Sequence, residues 1–316
     1  MRKGVILIAE PYPERSLRVV PPHYEIRQGN PARPYREDEL IEALEGVSAL
    51  AITSRERITA RIIDGAPSLR VIGKSGARPT NVDADAARRR GIEIVWTPRA
   101  NVESVAEMTL TLMLLVVKRI PEVVERLRGG GWRSYDILGR ELSSMTVGLV
   151  GLGNVGLAVA RLLRTIGARV IGFDPGVSSE KAAEHGVERS DLAELFARAE
   201  VVSLHCELND ATRAMVGVGA FAAMRDGVYL VNTARGPLVD AQALLAALAS
   251  GRVAAAAIDV FESEPVPGGD PLVGHPRIVA TPHVAAFTTE AIHRETSQVL
   301  EDIVNVLSHR PVAHMG

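Results

Sequence analysis

The stretch that decides the fold is Thr146-Val-Gly-Leu-Val-Gly-Leu-Gly-Asn-Val-Gly156, where an aliphatic run leads directly into the pattern G-x-G-x-x-G. The following residues, 157–166, have helical composition. In such a strand–turn–helix the first glycine allows a tight turn, the second lets a pyrophosphate approach the backbone, and the third lets helix and strand pack closely. The pyrophosphate lies against free N–H groups at the helix start. The motif predicts a dinucleotide site at Gly151, Gly153, Asn154, Val155 and Gly156.

A carboxylate stands where such a site needs one. Asp174 ends the next predicted strand, eighteen residues after Gly156, and is placed to hold the ribose hydroxyls. A 2′-phosphate about 4 Å away would be repelled by about 4 kcal/mol per unit charge at an effective dielectric near 20. No arginine follows to offset this repulsion, so the sequence favours NAD over NADP. The alternative is a packing turn followed by an ordinary acidic cap.

Short aliphatic segments alternate with helical stretches along almost the whole chain, which indicates mostly parallel α/β sheets. The predicted strands are 5–9, 49–53, 71–73, 92–96, 146–150, 169–173, 201–205, 228–232, 255–260 and 277–281. Long helices are predicted over about 102–119 and 288–307. The glycine run 129–131 predicts a loop, and no following helix supports a phosphate site there.

The composition is that of an ordinary globular protein. The 316 residues suggest about two domains, and 47% hydrophobic with 23% charged residues exclude wholesale disorder. A net charge of −2 gives no general reason to bind nucleic acid or an anionic membrane. The most apolar segment, 108–117, is shorter than the roughly 20 residues of a membrane span. Without a signal peptide, and with Cys206 as the single cysteine, the expected location is cytoplasmic.

Three charged side chains follow the later strands in an order that suits carbonyl chemistry. Arg235, Glu264 and His283 lie in N-T-A-R-G, D-V-F-E-S-E-P and T-P-H, near the strand ends where open α/β sheets bind ligands. An arginine fork suits a carboxylate and a carbonyl, and a histidine exchanges protons near neutral pH. A carboxylate beside the histidine favours its protonated form. Alternatively, His283 is a turn histidine and Glu264 is solvated.

Together these motifs resemble the D-isomer-specific 2-hydroxyacid dehydrogenase family, in its branch near phosphoglycerate dehydrogenase. The matching segments span most of the chain: 81–83, 101–107, 139–156, 174, 232–236, 259–265 and 282–283. The resemblance implies an α/β protein with two doubly wound parallel-sheet domains. A Rossmann NAD-binding domain would occupy 99–285, and a flavodoxin-like substrate-binding (catalytic) domain would combine 1–98 with 286–316. It also implies a homodimer through the nucleotide-binding domain.

The resemblance assigns roles to the matching residues. His283 would be the general acid and base, Glu264 its charge partner, and Arg235 the residue that orients the substrate. Asp259 would hold the nicotinamide carboxamide. The cofactor site would also include His205, Thr233 and Ala234, and the substrate carboxylate would lie beside Gly76, Ala77 and Asn101.

The substrate loop departs from the family pattern. Arg78 and Pro79 stand in the loop K-S-G-A-R-P-T-N, where the family usually has a glycine and an acidic residue. Arg55 aligns with a position that faces substrate in the phosphoglycerate dehydrogenase branch. We therefore expect a basic pocket that accepts a 2-oxo acid with a second anionic group, unless Arg78 is solvated or pairs with a nearby acid. Cys206 is expected to line the cofactor site, followed by Glu207 where the family usually has proline.

The expected activity is the NAD-dependent interconversion of a D-2-hydroxy acid and its 2-oxo acid. One alternative is an NAD(H)-sensing protein of the same fold with little catalysis, although the complete Arg–Glu–His set speaks against it. Another keeps the fold and takes its hydride from a formate-like or phosphite-like anion. No metal is predicted, because the eight histidines show no ligand spacing. The expected partners are the small-molecule substrate and a second copy of the chain, without nucleic acid or membrane.

Overall fold

The computed structural model describes residues 4–76 and 78–312, and the chain divides into two compact units. The first unit is Met1–Asn101 together with Thr289–Gly316, and the second is Val102–Thr288. The chain thus crosses from one unit to the other at 101/102 and at 288/289. Each crossing lies three residues beyond the boundaries predicted from the sequence, 98/99 and 285/286.

The first unit is built on a five-stranded sheet in the order β2-β1-β3-β4-β5, in which every pairing is parallel. Its strands are β1 Gly4–Ile8, β2 Tyr24–Gln28, β3 Ala49–Ile52, β4 Val71–Lys74 and β5 Glu93–Trp96. Its helices are α1 Glu14–Leu17, α2 Glu37–Ala43, α3 Ala60–Asp64, α4 Ala84–Arg89 and α12 Thr289–Leu307.

Both faces of this sheet are buried. Along β1, Leu7 belongs to one apolar cluster while Ile6 and Ile8 belong to another, as the alternation of side chains in a strand requires. Parallel strands covered on both faces need continuous apolar runs, which the sequence supplies. The helix α12 covers one face, and a Cβ on Gly73 would lie 2.6 Å from Ile303 Cδ1. The glycine in β4 therefore lets α12 pack directly on the sheet.

The second unit is built on a seven-stranded parallel sheet in the order β12-β11-β10-β9-β6-β7-β8. Its strands are β6 Thr146–Val150, β7 Arg169–Phe173, β8 Glu188–Arg189, β9 Val201–Leu204, β10 Val228–Asn232, β11 Val253–Ile258 and β12 Ile278–Ala280. Its helices are α5 Val102–Val117, α6 Ile120–Arg128, α7 Asn154–Ile166, α8 Ser179–Glu184, α9 Leu192–Arg198, α10 Val218–Ala223 and α11 Ala241–Ser250. Two apolar clusters fill its two faces, so both sheets have the doubly wound architecture predicted from the sequence.

Two strands and the exposed helix α6 are among the elements that the sequence-based prediction does not contain. The edge strand β2 has the sequence Y-E-I-R-Q, and β8 is only two residues long with both residues exposed. Neither strand contains an aliphatic run. The helix α6 follows Arg119, whose left-handed backbone (φ 56°) ends the preceding helix. Within the described residues, no helix is long and apolar enough to cross a membrane.

Candidate active site

The glycine-rich loop joins β6 to α7 at the carboxyl edge of the second sheet. Gly151 has a left-handed backbone (φ 101°), and a Cβ on Gly156 would overlap the carbonyl oxygen of Gly151. By contrast, a Cβ on Gly153 would meet no atom within 4 Å, so the backbone there is open to a ligand. Asn154 and Val155 form the first turn of α7, whose N–H groups point towards that space. This loop fits the pyrophosphate of NAD.

Asp174 lies just beyond β7, beside the same loop. Its carboxylate accepts hydrogen bonds from the backbone N–H of Leu152 and of Gly176, both at 2.8 Å. The side chain is half-buried, so the carboxylate both braces the glycine-rich loop and remains accessible to a ribose. Its placement agrees with the NAD preference inferred from the sequence.

His205 lies against the glycine-rich loop, and Thr233 lies in the loop after β10. Nε2 of His205 is 2.9 Å from Ser203 Oγ, and desolvation lowers the pKa of His205 to about 4. At neutral pH the imidazole of His205 is therefore uncharged and offers hydrogen bonds but no positive charge to the cofactor. Thr233 Oγ1 lies 2.8 Å from Thr109 Oγ1, which ties the loop after β10 to α5.

His283 and Glu264 form a direct pair in the second unit. His283 Nδ1 lies 2.6 Å from Glu264 Oε2, while Glu264 Oε1 accepts the backbone N–H of Phe261 at 3.0 Å. The carboxylate therefore orients the imidazole through Nδ1 and leaves Nε2 for another partner. Both side chains are partly exposed, at 46% for His283 and 35% for Glu264. A substrate oxygen can therefore reach the ring.

Asp259 holds the turn that carries His283. It is fully buried, and its Oδ1 accepts hydrogen bonds from Thr281 Oγ1 at 2.6 Å and from the N–H of Val284 at 2.9 Å. Its Oδ2 accepts the N–H of Ala285 at 2.8 Å. His283 sits within this turn in a left-handed conformation (φ 54°), which a non-glycine residue keeps only when its surroundings enforce it. Asp259 thus shapes the turn, a contribution that the sequence does not reveal.

Arg235 lies in the neighbouring loop, after β10. The buried Asn232 accepts the N–H of Ala234 and donates to the carbonyl oxygen of Arg235, which fixes the turn between them. The guanidinium of Arg235 is exposed, and its Nη1 donates to the Ala234 carbonyl at 2.6 Å. A Cβ on Gly236 would overlap the backbone of Phe261, so the loops of Arg235 and Glu264 pack backbone against backbone.

The predicted substrate residues lie in the first unit, apart from Ala77, which falls outside the described residues. Gly76 has a left-handed backbone (φ 91°), and its N–H donates to Thr97 Oγ1 at 2.7 Å. Asn101 is half-buried and hydrogen-bonds the Glu295 carboxylate. Both residues are therefore held in place by neighbours within this unit.

The two predicted cationic contacts are at the surface. Arg55 is 46% exposed, and its Nη1 pairs with Glu10 Oε1 at 2.6 Å. Arg78 is exposed as well. The basic pocket expected from the sequence therefore has one arginine that is paired with an acid and another that faces solvent.

Two buried charged residues near Gly76 are not among the site residues predicted from the sequence, which favours an outward-pointing Lys74 and does not single out Glu295. Lys74 ends β4 and Glu295 lies on α12, and both are buried. The signal for Glu295 is its position on the apolar stripe of α12, which also includes Ala291, Val299 and Ile303.

Half-buried Cys206 lies 3.7 Å from Met215 Sδ, and burial raises the pKa of its thiol to about 11. Across residues 4–76 and 78–312, no three His, Cys, Asp or Glu side chains gather to hold a metal ion.

Gly153 has open space where a Cβ would stand, and Gly156 has none. Substitution by alanine should therefore affect cofactor binding at Gly153 and stability at Gly156. Gly153→Ala adds a methyl group where the pyrophosphate must approach, so it should weaken NADH binding about tenfold with an unchanged melting temperature. Gly156→Ala forces α7 away from the turn and should cost about 1–3 kcal/mol of stability. Fluorescence titration with NADH and thermal unfolding separate the two effects; a stable, tightly binding Gly156→Ala protein contradicts this assignment.

The lowered pKa of His205 predicts a pH-dependent stability. Between pH 6.5 and about 4 the unfolded chain binds a proton at His205 that the folded chain does not, so stability falls as the pH falls through this range. At pH 5 the loss amounts to about 2 kcal/mol relative to neutral pH. Urea unfolding of His205→Gln should lack this contribution, and an identical pH dependence in both proteins would refute it.

Comparison with known proteins agrees with this geometry. Residues 110–285 match the family described as D-isomer specific 2-hydroxyacid dehydrogenase, NAD binding domain. The chain is similar to a D-3-phosphoglycerate dehydrogenase of Archaeoglobus fulgidus, with 36% identity over 310 residues, 97% of this chain and 58% of that protein. The chain therefore spans little more than half the length of such relatives.

Solved structures resemble the chain along its full length. One is a protein from Thermus thermophilus, with a TM-score of 0.89, 33% identity and coverage of 98% of this chain and 99% of the other. Another is a D-lactate dehydrogenase from Aquifex aeolicus complexed with NAD and lactic acid, with a TM-score of 0.82, 26% identity and coverage of 97% and 96%. With its glycine-rich loop, its Asp174 and more than half of its length matched, this chain belongs to the D-isomer specific 2-hydroxyacid dehydrogenase family.

Proposed function

We propose that this protein interconverts a 2-oxo acid and the corresponding D-2-hydroxy acid with NAD(H). The observation that carries the proposal is the His283–Glu264 pair, held at 2.6 Å on a turn at the carboxyl edge of the sheet that also carries the NAD loop. An acid–base histidine beside a nicotinamide site is the arrangement that carbonyl reduction requires. The family membership and the activities for which the relatives are named support the same reaction class.

In the proposed reduction, His283 delivers the proton. Its Nδ1 is bonded to Glu264, so the transferable proton sits on Nε2, and Glu264 stabilises the positive charge of the ring before transfer. When bound, NADH supplies the hydride that reaches the carbonyl carbon. The carbonyl oxygen takes the proton from Nε2, which yields the hydroxyl group; in oxidation, Nε2 accepts the proton again.

The remaining predicted residues bind and orient. Arg235 presents a planar fork that suits the substrate carbonyl and carboxylate, and its charge stabilises the developing alkoxide. Asn101 and the loop at Gly76 are assigned to the substrate carboxylate. The family resemblance assigns Asp259 to the nicotinamide carboxamide; in this structure its carboxylate is fully buried and bonds the turn of His283.

Removal of the imidazole tests the proposed role of His283. His283→Ala should lower kcat for 2-oxo acid reduction by about 10²–10⁴, because general acid catalysis is lost. NADH affinity and melting temperature should not change. The reaction is followed by NADH oxidation across a panel of 2-oxo acids.

His23→Ala is the matched control, since His23 is an exposed histidine of the first unit. It should retain full activity. If His283→Ala kept more than about a tenth of the rate, His283 would not be the acid.

We also propose that the protein forms a homodimer through its second unit. The helix α6 buries none of its residues, and its apolar side chains continue into an exposed patch on the following segment. We define the α6 patch as Ile120, Val123, Val124, Leu127, Trp132, Tyr135 and Leu138. Monomeric proteins rarely leave so many large apolar side chains together at the surface.

A second copy of this chain suits the α6 patch. Three ion pairs formed within the chain lie around the patch: Arg119 with Glu122, Arg128 with Glu125, and Arg126 with Asp136. In an isologous dimer each patch meets its own copy, so unpaired like charges would repel. An apolar patch with internally paired surroundings avoids that repulsion.

A charge placed in the α6 patch should separate the subunits. Leu127, which is 60% exposed, makes no contribution to the monomer core, so Leu127→Asp should yield a folded monomer. Light scattering after size exclusion measures the mass. Val273→Asp, at an exposed apolar position away from the patch, should leave the dimer intact. A monomeric wild-type protein at micromolar concentration would disprove the proposal.

A further inference from the structure

Two opposite charges are buried directly beneath the loop at Gly76. Lys74 is 5% exposed and Glu295 is 7% exposed. A Cβ on Gly76 would lie 3.8 Å from Lys74 Nζ and 3.3 Å from Glu295 Oε1. The ammonium and the carboxylate therefore converge on the same side of this glycine. Neither residue takes part in the proton or hydride transfer proposed above.

Stability of the sheet alone does not require charged residues at these two positions. Both residues occupy core positions, Lys74 in the wholly buried strand β4 and Glu295 on the apolar stripe of α12. Apolar residues of similar size at such positions generally stabilise a fold as well as a buried ion pair or better. Because stability does not require the Lys74 and Glu295 charges, their presence points to a role in binding.

Glu295 also reaches the predicted substrate residue Asn101. Desolvation raises the pKa of Glu295, while the hydrogen bond from Asn101 and the charges of Lys74 and Arg294 lower it. Arg294 Nε donates to the carbonyl oxygen of Ala100 at 2.8 Å. Consecutive residues of α12 therefore hold the segment that contains Asn101, and the Glu295 charge lies close to both predicted substrate contacts.

The carboxyl edge of this sheet is rich in acids. Tyr12 bonds Ser75 Oγ at 2.7 Å, and its hydroxyl is close enough to feel the charges of Glu10, Glu56 and Glu295. Burial and these three carboxylates raise the pKa of Tyr12 above its ordinary value. These carboxylates offset positive charge at this edge: Glu10 pairs with Arg55, and Glu295 lies beside Lys74.

We propose that Lys74 and Glu295 set the charge selectivity of the loop at Gly76 and select a 2-oxo acid with a single negative charge. Lys74 attracts the substrate carboxylate. The negative charge of Glu295 offsets the rest of the positive potential, so a second anionic group on the substrate gains no attraction. The inference rests on the proposed function and replaces Arg55 and Arg78 as the determinants of charge preference. Lys74 and Glu295 are positioning residues that act through the electrostatic potential and through Asn101.

The test compares hydroxypyruvate with phosphohydroxypyruvate, which share a carbon skeleton and differ by the phosphate. Wild type should have the higher kcat/KM for hydroxypyruvate. Glu295→Gln keeps the shape and the hydrogen-bonding capacity but removes the negative charge of Glu295 that acts on Lys74. It should lower KM for both compounds and shift the kcat/KM ratio about tenfold towards phosphohydroxypyruvate.

Removal of the positive charge should act in the opposite direction. Lys74→Met should raise KM for both compounds about tenfold, because the carboxylate loses its attraction. Lys74→Arg should restore values near those of wild type. A purely structural role would move KM in the same direction in Glu295→Gln and Lys74→Met, so opposite directions identify an electrostatic role.

Two exposed residues of the first unit supply matched controls. Glu301→Gln makes the same charge change on α12, and Arg89→Met removes a cation from α4. Neither should change the ratio between the two substrates. The melting temperature and the KM for NADH establish that each variant is folded and binds cofactor.

The outcomes distinguish the proposed function from the inference about Lys74 and Glu295. Wild-type protein that reduces no 2-oxo acid would overturn the proposed function and this inference with it. If the protein turns over 2-oxo acids, three results would overturn the inference alone. Wild type could prefer phosphohydroxypyruvate, Glu295→Gln could leave the kcat/KM ratio of the two substrates unchanged, or KM could change in the same direction in Glu295→Gln and Lys74→Met.

Discussion

The candidate site depends on one buried carboxylate. Asp259 is fully buried at the end of β11 and accepts three hydrogen bonds from the segment 281–285. These bonds hold His283 in a left-handed conformation that it would not otherwise keep, at a position where Nδ1 meets Glu264. Because β11 lies between β10 and β12, one side chain couples the sheet to the turn that carries the proposed acid.

The same use of carboxylates recurs across the second unit. Asp174 braces the glycine-rich loop through Leu152, and Glu264 holds its own loop through the N–H of Phe261. Glu264 divides its two oxygens between backbone and imidazole, whereas both oxygens of Asp174 bond backbone and each keeps a second lone pair for a ribose. Pre-organisation of this kind lets a site bind and react without reorganising its own groups. The site is therefore built from anchors that serve structure and chemistry together.

Much of the fold and part of the site were predictable from local patterns. The aliphatic runs and the G-x-G-x-x-G turn indicated two parallel α/β domains, because burial on both faces demands such runs. Prediction failed at β2 and at α6, where an edge strand and an exposed helix lack that pattern. The pairing of Arg55 with Glu10 could not be seen either, since the two residues lie 45 positions apart in the chain.

The sequence alone determined the NAD-binding loop, because its glycines are demanded by backbone geometry within eleven consecutive residues. It also contains the residue types that the proposed proton transfer needs, since chemistry limits which side chains can serve. Only the tertiary structure decided that Lys74 and Glu295 lie together beneath Gly76. Those residues are 221 positions apart, and they meet because α12 packs on β4 across the glycine of that strand. Charge balance in a binding site depends on distances in space, which spacing along the chain does not record.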